Sequence, residues 1–492
     1  MEKLIGRKKE QQELMRCYNS QRSEFAILYG RRRIGKTFLV NKTFENKFTF
    51  RFIGSHKAPK ERQLERFALN LKEQGKLNYL PKVDSWYHAF DVLQEMIKHS
   101  KVKGKKVIFF DEMPWIDTYA SEFVSALEDF WNTWAALRDD ILFVACGSAT
   151  SWMVDKIVEN QGGLHGRITS RIYLKPFSLA ETEEYLRQEG CAWNRYTIAQ
   201  CYMYVGGTPY YLSLLEPKKD LPHNIDQLFF TPQAKLKGEI AELFNVLFKD
   251  AERYIKIVRA LVEHREGLTR KQISEITKSN GGTLTSRLEN LERCDFIMGQ
   301  QQYGKKKKGV IYRIADFFTL FYFSFVEGIR TPITPYWQKK INSSAVKAWQ
   351  GFTFELLVNN HVDKVIQHLG ISGILTTVSA WRSERTPAKE KQENKKDLLE
   401  NSPQKESSNR QIDLIIARED PYLYLCEIKF AQEEYTITKE YEQKLRQRMS
   451  LFKEQTKTKA ALLATFITTY GVNPNIHSGI VQHEITLDQI FD

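Results

Sequence analysis

No apolar stretch in this 492-residue chain comes near the roughly 20 residues that a membrane-spanning helix needs, so no membrane association is expected. The most apolar run, FFTLFYFSFV at 317–326, reads as a buried core helix. Cysteine is sparse: six residues are scattered with no CxxC pair, which argues against a zinc site and suits a reduced, cytoplasmic setting. Internal repeats and heptads are missing, which excludes solenoids and coiled coils. The opening MEKLIGRKKE is too charged to read as a signal peptide. Acidic residues are in deficit, 60 against 73 Lys and Arg, and the net charge of +13 favours a polyanionic partner, most plausibly nucleic acid. The length predicts two to four domains with several cores.

What is present is α/β. Over 1–165, FAILYG (25–30), KVIFFDE (106–112) and ILFVACGS (141–148) are continuous apolar runs ending in polar residues. Such runs mark parallel strands covered on both faces, with a site at their C-terminal ends. Residues 166–240 look helical and irregular, as a lid would. From 241 to 330 come three amphipathic helices, AERYIKIVRALVEH, TRKQISEITK and TLTSRLENLERC, then two strand-like runs flanking YGKKKKG. Leu284, Leu288 and Leu291 share one face of the third helix. Three helices and a hairpin make a winged-helix pattern. The last unit, 331–492, starts with a helical segment (345–366), meets a polar stretch at 383–410 that reads as a disordered insertion, and continues into a strand hairpin.

YGRRRIGKTFLV sets Gly30, Gly35, Lys36 and Thr37 at the Walker A spacing, after a strand pattern and before a helix. The glycines let backbone N–H groups close round phosphates, and the helix N-terminus adds partial positive charge. Lys36 would reach the β and γ oxygens of ATP, and Thr37 would ligate Mg²⁺. Arg33, Ile34 and Phe38 belong to the same nucleotide-binding loop. Asp111, closing its strand, would hold the metal directly or through water, and Glu112 would polarise the attacking water. Ser148, ending the third strand, would sense the γ-phosphate.

LIGRKKE (4–10), GRRRIGKT (30–37), FFDEMPW (109–115), CGSAT (146–150), GRITSRIYLKPFS (166–178) and YVGGTPYYL (204–212) together resemble the archaeal-type ATPases of the AAA+/STAND group, over residues 1 to about 215. The resemblance implies that Ile5-Gly6-Arg7 lies near the base and that Pro209 closes over the nucleotide from the lid. It also implies that Arg167 or Arg171 acts as an arginine finger, in cis or across a subunit boundary of a homo-oligomer.

In a helix-turn-helix reader the second helix of the motif faces the major groove. Here it would expose Thr285, Ser286, Arg287, Asn290 and Arg293, while the wing would set Lys305, Lys306, Lys307 and Lys308 against a phosphate backbone. The alternative is a module that only packs between its neighbours, with solvated lysines.

RQIDLIIAREDPYLYLCEIKF (410–430) reads as two apolar strands turning at Asp420-Pro421, interrupted by Asp413, Glu427 and Lys429. Residues two apart share a face, so Glu427 and Lys429 point the same way. Counting from the turn brings Asp413 near Glu427, where two carboxylates repel unless a divalent cation lies between them. Lys429 beside it would orient a water and stabilise charge on a scissile phosphate. The bland reading is a surface strand; yet charges on an exposed face should alternate throughout, and these cluster at one end. Asp413-x13-Glu427-x-Lys429 resembles the core of the PD-(D/E)xK restriction-endonuclease-like superfamily. Glu355 in GFTFE matches the acid on the preceding helix, and Ile412 stands where many members have Pro. The resemblance covers about 345–480 and implies a restriction-endonuclease-like α/β domain. It implies Mg²⁺ or Mn²⁺ at Asp413 and Glu427, with Lys439 and Gln443 as accessory groups. The whole then reads as an ATP-hydrolysing protein with a metal-dependent DNA nuclease regulated or driven by ATP. The alternative is a STAND-like switch whose C-terminal part only binds DNA or a partner.

Overall fold

The computed structural model describes residues 4–148, 150–159, 162–305, 309–329, 335–383 and 411–492. Residues 306–308 of the lysine run and 384–410 of the polar stretch lie outside them. Among the described residues no helix is long and apolar enough to cross a membrane.

The apolar runs build the first sheet. β1 (Glu24–Tyr29), β3 (Lys106–Asp111) and β4 (Ile141–Gly147) are buried along nearly their whole length. With β2 (Phe48–Ile53) and β5 (Ser170–Tyr173) they form a parallel sheet in the order β2-β3-β4-β1-β5. Alternation sends Phe25, Ile27, Phe110 and Phe143 to one face, against the helices Lys60–Gly75 and Trp86–Lys98. Ala26, Leu28, Phe109 and Val144 go to the other, against Lys8–Asn19 and Lys36–Thr43. β3, β4 and β1 are neighbours, so Asp111, Ser148 and the loop after Tyr29 meet on one rim. β5 corrects the boundary expected at 165, because the sheet runs on past it. SRIY is a four-residue edge strand with Arg171 exposed, and so lacks the long apolar run that betrays a buried parallel strand.

A capping box of Ser178 and Glu181 opens the helix Leu179–Gln188, and Asn194 caps Arg195–Val205. The three later helices are Ala251–Glu263, Arg270–Thr277 and Gly281–Arg293, with Leu284, Leu288 and Leu291 buried. β6 (Leu268–Thr269), β7 (Ile297–Gln300) and β8 (Ile311–Ile314) make a small antiparallel sheet in the order β6-β8-β7. The apolar run at 317–326 is largely buried, as a helix Phe317–Phe321 that widens into a π-type turn. The segment expected as one helix over 345–366 is two, Ser344–Asn360 and Val362–His368. They part at His361, which leaves helical geometry and accepts the Leu179 N–H on Nε2 at 3.2 Å.

The last sheet has the order β13-β12-β11-β10-β9. β9 (Thr376–Arg382), β10 (Gln411–Arg418) and β11 (Tyr422–Lys429) are antiparallel. β12 (Ala461–Thr468) and β13 (His483–Thr486) continue parallel to β11. The helix Lys439–Thr456 makes the crossover from β11 to β12 and covers one face, Phe452 clustering with Ile415, Leu423 and Leu425. Ser344–Asn360 covers the other, where Trp349 and Phe354 cluster with Leu414, Ile416 and Cys426. Past the end of β7, the Ala380 N–H donates to Gln301 O (3.0 Å) and the Tyr303 N–H to Ala380 O (2.8 Å), so the small hairpin lies along the outer edge of β9.

Gly207 ties the turn after the helix Arg195–Val205 to the chain after β5. The Phe177 N–H donates to its carbonyl at 2.7 Å, and a Cβ there would lie 1.9 Å from Phe177 O. Since the obstacle is backbone, Gly207→Ala is expected to cost about 1–3 kcal/mol, read as a lowered denaturant midpoint at unchanged m-value.

Candidate functional site

The loop after β1 is shaped by two glycines and held by charge. Gly30 has φ 146°, and a Cβ there would lie 2.3 Å from Leu174 O. Gly35, at φ 87°, starts the helix Lys36–Thr43. Arg33 takes φ 71°, rare for a side-chain-bearing residue, and is held there by Glu239 (2.6 Å), Glu242 (3.3 Å) and the Tyr210 ring, 4.4 Å away. Arg31 is wholly buried, ion-paired with Asp316 and stacked over Phe296.

Lys36 Nζ donates to Gly30 O (2.9 Å) and Arg31 O (2.8 Å). Burial pushes its ammonium below the ordinary lysine value, and among the described residues no carboxylate pairs with it. An anion of high charge density is the group this position suits. Thr37 Oγ1 donates to Asp111 Oδ2 at 2.7 Å. Burial raises the Asp111 carboxyl, against the opposing pull of the Thr37 hydrogen bond. A hydroxyl and a buried carboxylate in contact are a donor pair fit for Mg²⁺. Glu112, itself at φ 46°, accepts the Ser148 Oγ–H at 2.6 Å and the Ser148 N–H at 3.3 Å. Ser148 therefore positions Glu112.

A cavity of about 480 Å³ opens over these groups, within the range of small-molecule sites. Lys36, Thr37, Glu112 and Ser148 line its polar side. Arg33, Ile34, Gly35 and Phe38 come from the loop, and Pro209 and Tyr210 from the short helix Pro209–Leu212. Ile5 and Arg7 close the base; the Arg7 guanidinium lies 4.7 Å from the Phe177 ring. Arg167 and Arg171 are exposed and do not line the cavity.

Residues 4–215 match a family described as an ATPase domain predominantly from Archaea. The chain carries an archaeal-type ATPase domain. It is 26% identical over 327 residues to an uncharacterized protein of Methanocaldococcus jannaschii, spanning 65% of this chain and 68% of that one. A 43-residue stretch is 49% identical to an uncharacterized ATP-binding protein of the same organism, over 9% of this chain and 73% of the other. Among solved structures, a Walker-type ATPase of Pyrococcus abyssi superposes with a TM-score of 0.50 at 17% identity, over 65% of this chain and 96% of that one, a likeness of fold. Residues 4–215 thus form an ATPase domain, and the cavity is where that domain has room and charge for ATP.

A second cluster lies far along the chain from the ATPase domain. In the β10–β11 ladder Leu414 faces Cys426, the last regular pair before β10 becomes irregular between Ile412 and Ile415. Lys429 Nζ meets Glu427 at 2.7 Å, Arg448 Nη1 meets its other oxygen at 2.6 Å, and the Tyr441 hydroxyl also donates to it. Burial alone would raise the Glu427 carboxyl; Lys429 and Arg448 outweigh it and hold it down to about 2. Burial likewise works against the Lys429 ammonium, but Glu427 keeps it above the ordinary lysine value. Glu355 goes the opposite way. Burial pushes its carboxyl well above the usual range, the Asp413 charge adds to the push, and Lys429 and Arg313 oppose it. Glu355, Asp413, Glu427 and Lys429 therefore share one electrostatic neighbourhood.

Whether they suit a metal depends on which acids are free. Among the described residues no three His, Cys, Asp or Glu side chains converge as a metal cluster. Glu427 is engaged by two cations and a phenol, so of the expected acids Asp413 and Glu355 are the less occupied. The Glu355 carboxylate makes no hydrogen bond or ion pair among the described residues, while Asp413 pairs with Arg313 of β8 at 3.3 Å. One or two carboxylates with water is a usual Mg²⁺ or Mn²⁺ donor set, and this pair fits it.

Two groups of residues differ from expectation. Lys439 and Gln443 are exposed; Tyr441 and Arg448 touch Glu427 instead. The signal was there, since Tyr441, Leu445, Arg448 and Phe452 recur at helical spacing. The face expected to read DNA is partly spent on the ATPase domain. Arg287 is buried, Asn290 accepts from Ser151 Oγ (2.7 Å), and Arg293 pairs with Asp155 (2.6 Å). The helix buries this side because the leucine stripe beside it packs inward. Thr285, Ser286 and Lys305 stay exposed.

The lowered Glu427 value gives an acid signature. Its contribution to stability is complete above the ordinary pKa of 4.5 and is lost as pH falls towards 2. Wild type is expected to lose up to about 3 kcal/mol more than Glu427→Gln across that window, checked by urea unfolding at several pH values.

Proposed function

We propose that the chain is an ATP-regulated, metal-dependent nuclease acting on DNA. In this reading residues 241–330 are a winged helix and 331–492 a restriction-endonuclease-like domain. One observation carries it: Lys429 pairs with Glu427 at 2.7 Å, and Glu355 lies in the field of both and of Asp413. A surface strand would have no use for a half-buried ammonium braced by a carboxylate.

At the first site Lys36 neutralises the β and γ phosphates of ATP, and Thr37 and Asp111 hold Mg²⁺. Glu112, kept in place by Ser148, orients the attacking water and takes its proton. Pro209 and Tyr210 exclude solvent from the lid side. Arg167 and Arg171, exposed and outside the cavity, could complete it only from a neighbouring copy, which makes a homo-oligomer part of this reading. At the second site Glu355 and Asp413 hold a divalent cation, which when bound supplies Lewis-acid stabilisation of phosphate charge. Lys429 places its ammonium against the scissile phosphate; Glu427, braced by Arg448 and Tyr441, fixes that ammonium. Lys305 and the net charge of +13 support a polyanionic substrate.

A second reading is a switch whose C-terminal sheet only binds DNA or a partner. What favours it is that no third acid is free beside Glu355 and Asp413 among the described residues.

Lys36→Ala is expected to abolish nucleotide binding, read by fluorescent-nucleotide titration. Glu112→Gln is expected to keep binding and lose at least about 100-fold in turnover. With Mn²⁺, wild type should cut DNA and respond to ATP, Lys36→Ala should lose that response, and Glu427→Ala should not cut at all. Intact ATP turnover with no cleavage of single- or double-stranded DNA under any metal condition would leave the switch.

A further inference from the structure

The segment from β8 into the next helix carries two charges aimed at different sites. Arg313, 9% exposed, reaches Asp413 at 3.3 Å, and its Nε is buried without a hydrogen-bond partner. Gln300 of β7 donates to Asp413 O at 3.0 Å, so the same small sheet is anchored twice on this residue. Three positions after Arg313, the buried Asp316 receives Arg31 of the phosphate loop and caps the helix Phe317–Phe321 through the Thr319 N–H at 2.9 Å. The Ala315 N–H donates to Phe296 O at 2.9 Å, so the link is not slack. Three residue steps span at most roughly 11 Å of backbone. Both charged ends are therefore mounted on one short, hydrogen-bonded piece of chain.

A guanidinium and a divalent cation on one carboxylate compete for the same negative charge. Resting on the nuclease reading, we propose that Arg313 is an electrostatic lock on the Glu355–Asp413 pair, and that the phosphate loop sets this lock through Arg31 and Asp316. While Arg31 holds Asp316, Arg313 stays on Asp413 and opposes the metal. A shift of the phosphate loop that loosens Arg31 from Asp316 lets the segment move and releases Asp413. The ATPase domain thereby regulates the second site with no contact between nucleotide and DNA. Because the coupling is a free energy, metal at Asp413 weakens or strengthens nucleotide binding by the same factor as the reverse.

The test uses the whole protein without nucleotide, titrated with Mn²⁺ alone, with free Mn²⁺ read by electron paramagnetic resonance. The relevant site is the one lost in Asp413→Asn. Arg313→Gln is expected to bind Mn²⁺ there about tenfold more tightly than wild type, the factor that about 1.4 kcal/mol of lost competition corresponds to. Asp316→Asn, which keeps a cap-forming side chain, is expected to tighten binding in wild type and to add nothing in Arg313→Gln. Equal affinity in wild type and Arg313→Gln overturns the lock and leaves the nuclease reading standing. No Mn²⁺ bound at this site in either removes the metal site, and both readings fall together. An effect of Asp316→Asn that is the same in both backgrounds overturns the link to the phosphate loop. Should Arg313→Gln fail to fold, Arg313→Met decides: it keeps an apolar stem but removes the charge, so affinity rises if the lock holds and stays unchanged if it does not.

Discussion

Arg31 lies wholly out of water beside the phosphate loop, and the carboxylate that answers it belongs to Asp316, 285 positions later. Burial works against the guanidinium, and Asp316 with its neighbours more than restores it. Neither charge could keep its place alone, since an unpaired ion removed from water costs several kcal/mol. The surrounding contacts follow the same logic. Tyr173 donates to Asp295, Ser151 to Asn290, and Arg293 meets Asp155. The first sheet and the helix–hairpin unit thus meet through directional polar pairs as well as apolar packing. Such contacts specify one geometry and can exchange partners without exposing a large apolar face.

The two glutamates of the second cluster show how much the partners matter. Glu355 and Glu427 are both removed from solvent, within one field. Glu427 has two cations and a phenol, and remains an anion far into acid. Glu355 has an acid for a neighbour and only more distant help from Lys429 and Arg313, and leans towards its protonated form. Sequence alone gives both the same letter; what separates them is which helix faces which side of the sheet.

Legibility in the sequence followed the range of the signal. The continuous runs at β1, β3 and β4 announced a parallel sheet, and the glycine spacing announced the phosphate loop, because both are local. The hairpin register could be counted as far as Leu414 and Cys426, since a tight turn fixes which residues oppose, but the irregularity beyond them has no local signal. β5 could not be read, being four residues long with an exposed arginine. Nor could the pairing of Asn290 and Arg293, because their partners Ser151 and Asp155 lie in the ATPase domain. Arg313 carries the same signature as Asp413, a charge inside an apolar strand, but its partner lies 100 residues away, beyond any local pattern.

The hairpin that extends over the outer edge of β9 has a bearing on how the last sheet survives in solution. The Gln301 carbonyl and the Tyr303 N–H satisfy Ala380, whose backbone would otherwise stand open at the rim. Bare rims of this kind recruit strands from other molecules. Removing the Gln301–Tyr303 segment would bare Ala380 at this rim and open it to edge-to-edge pairing with other molecules.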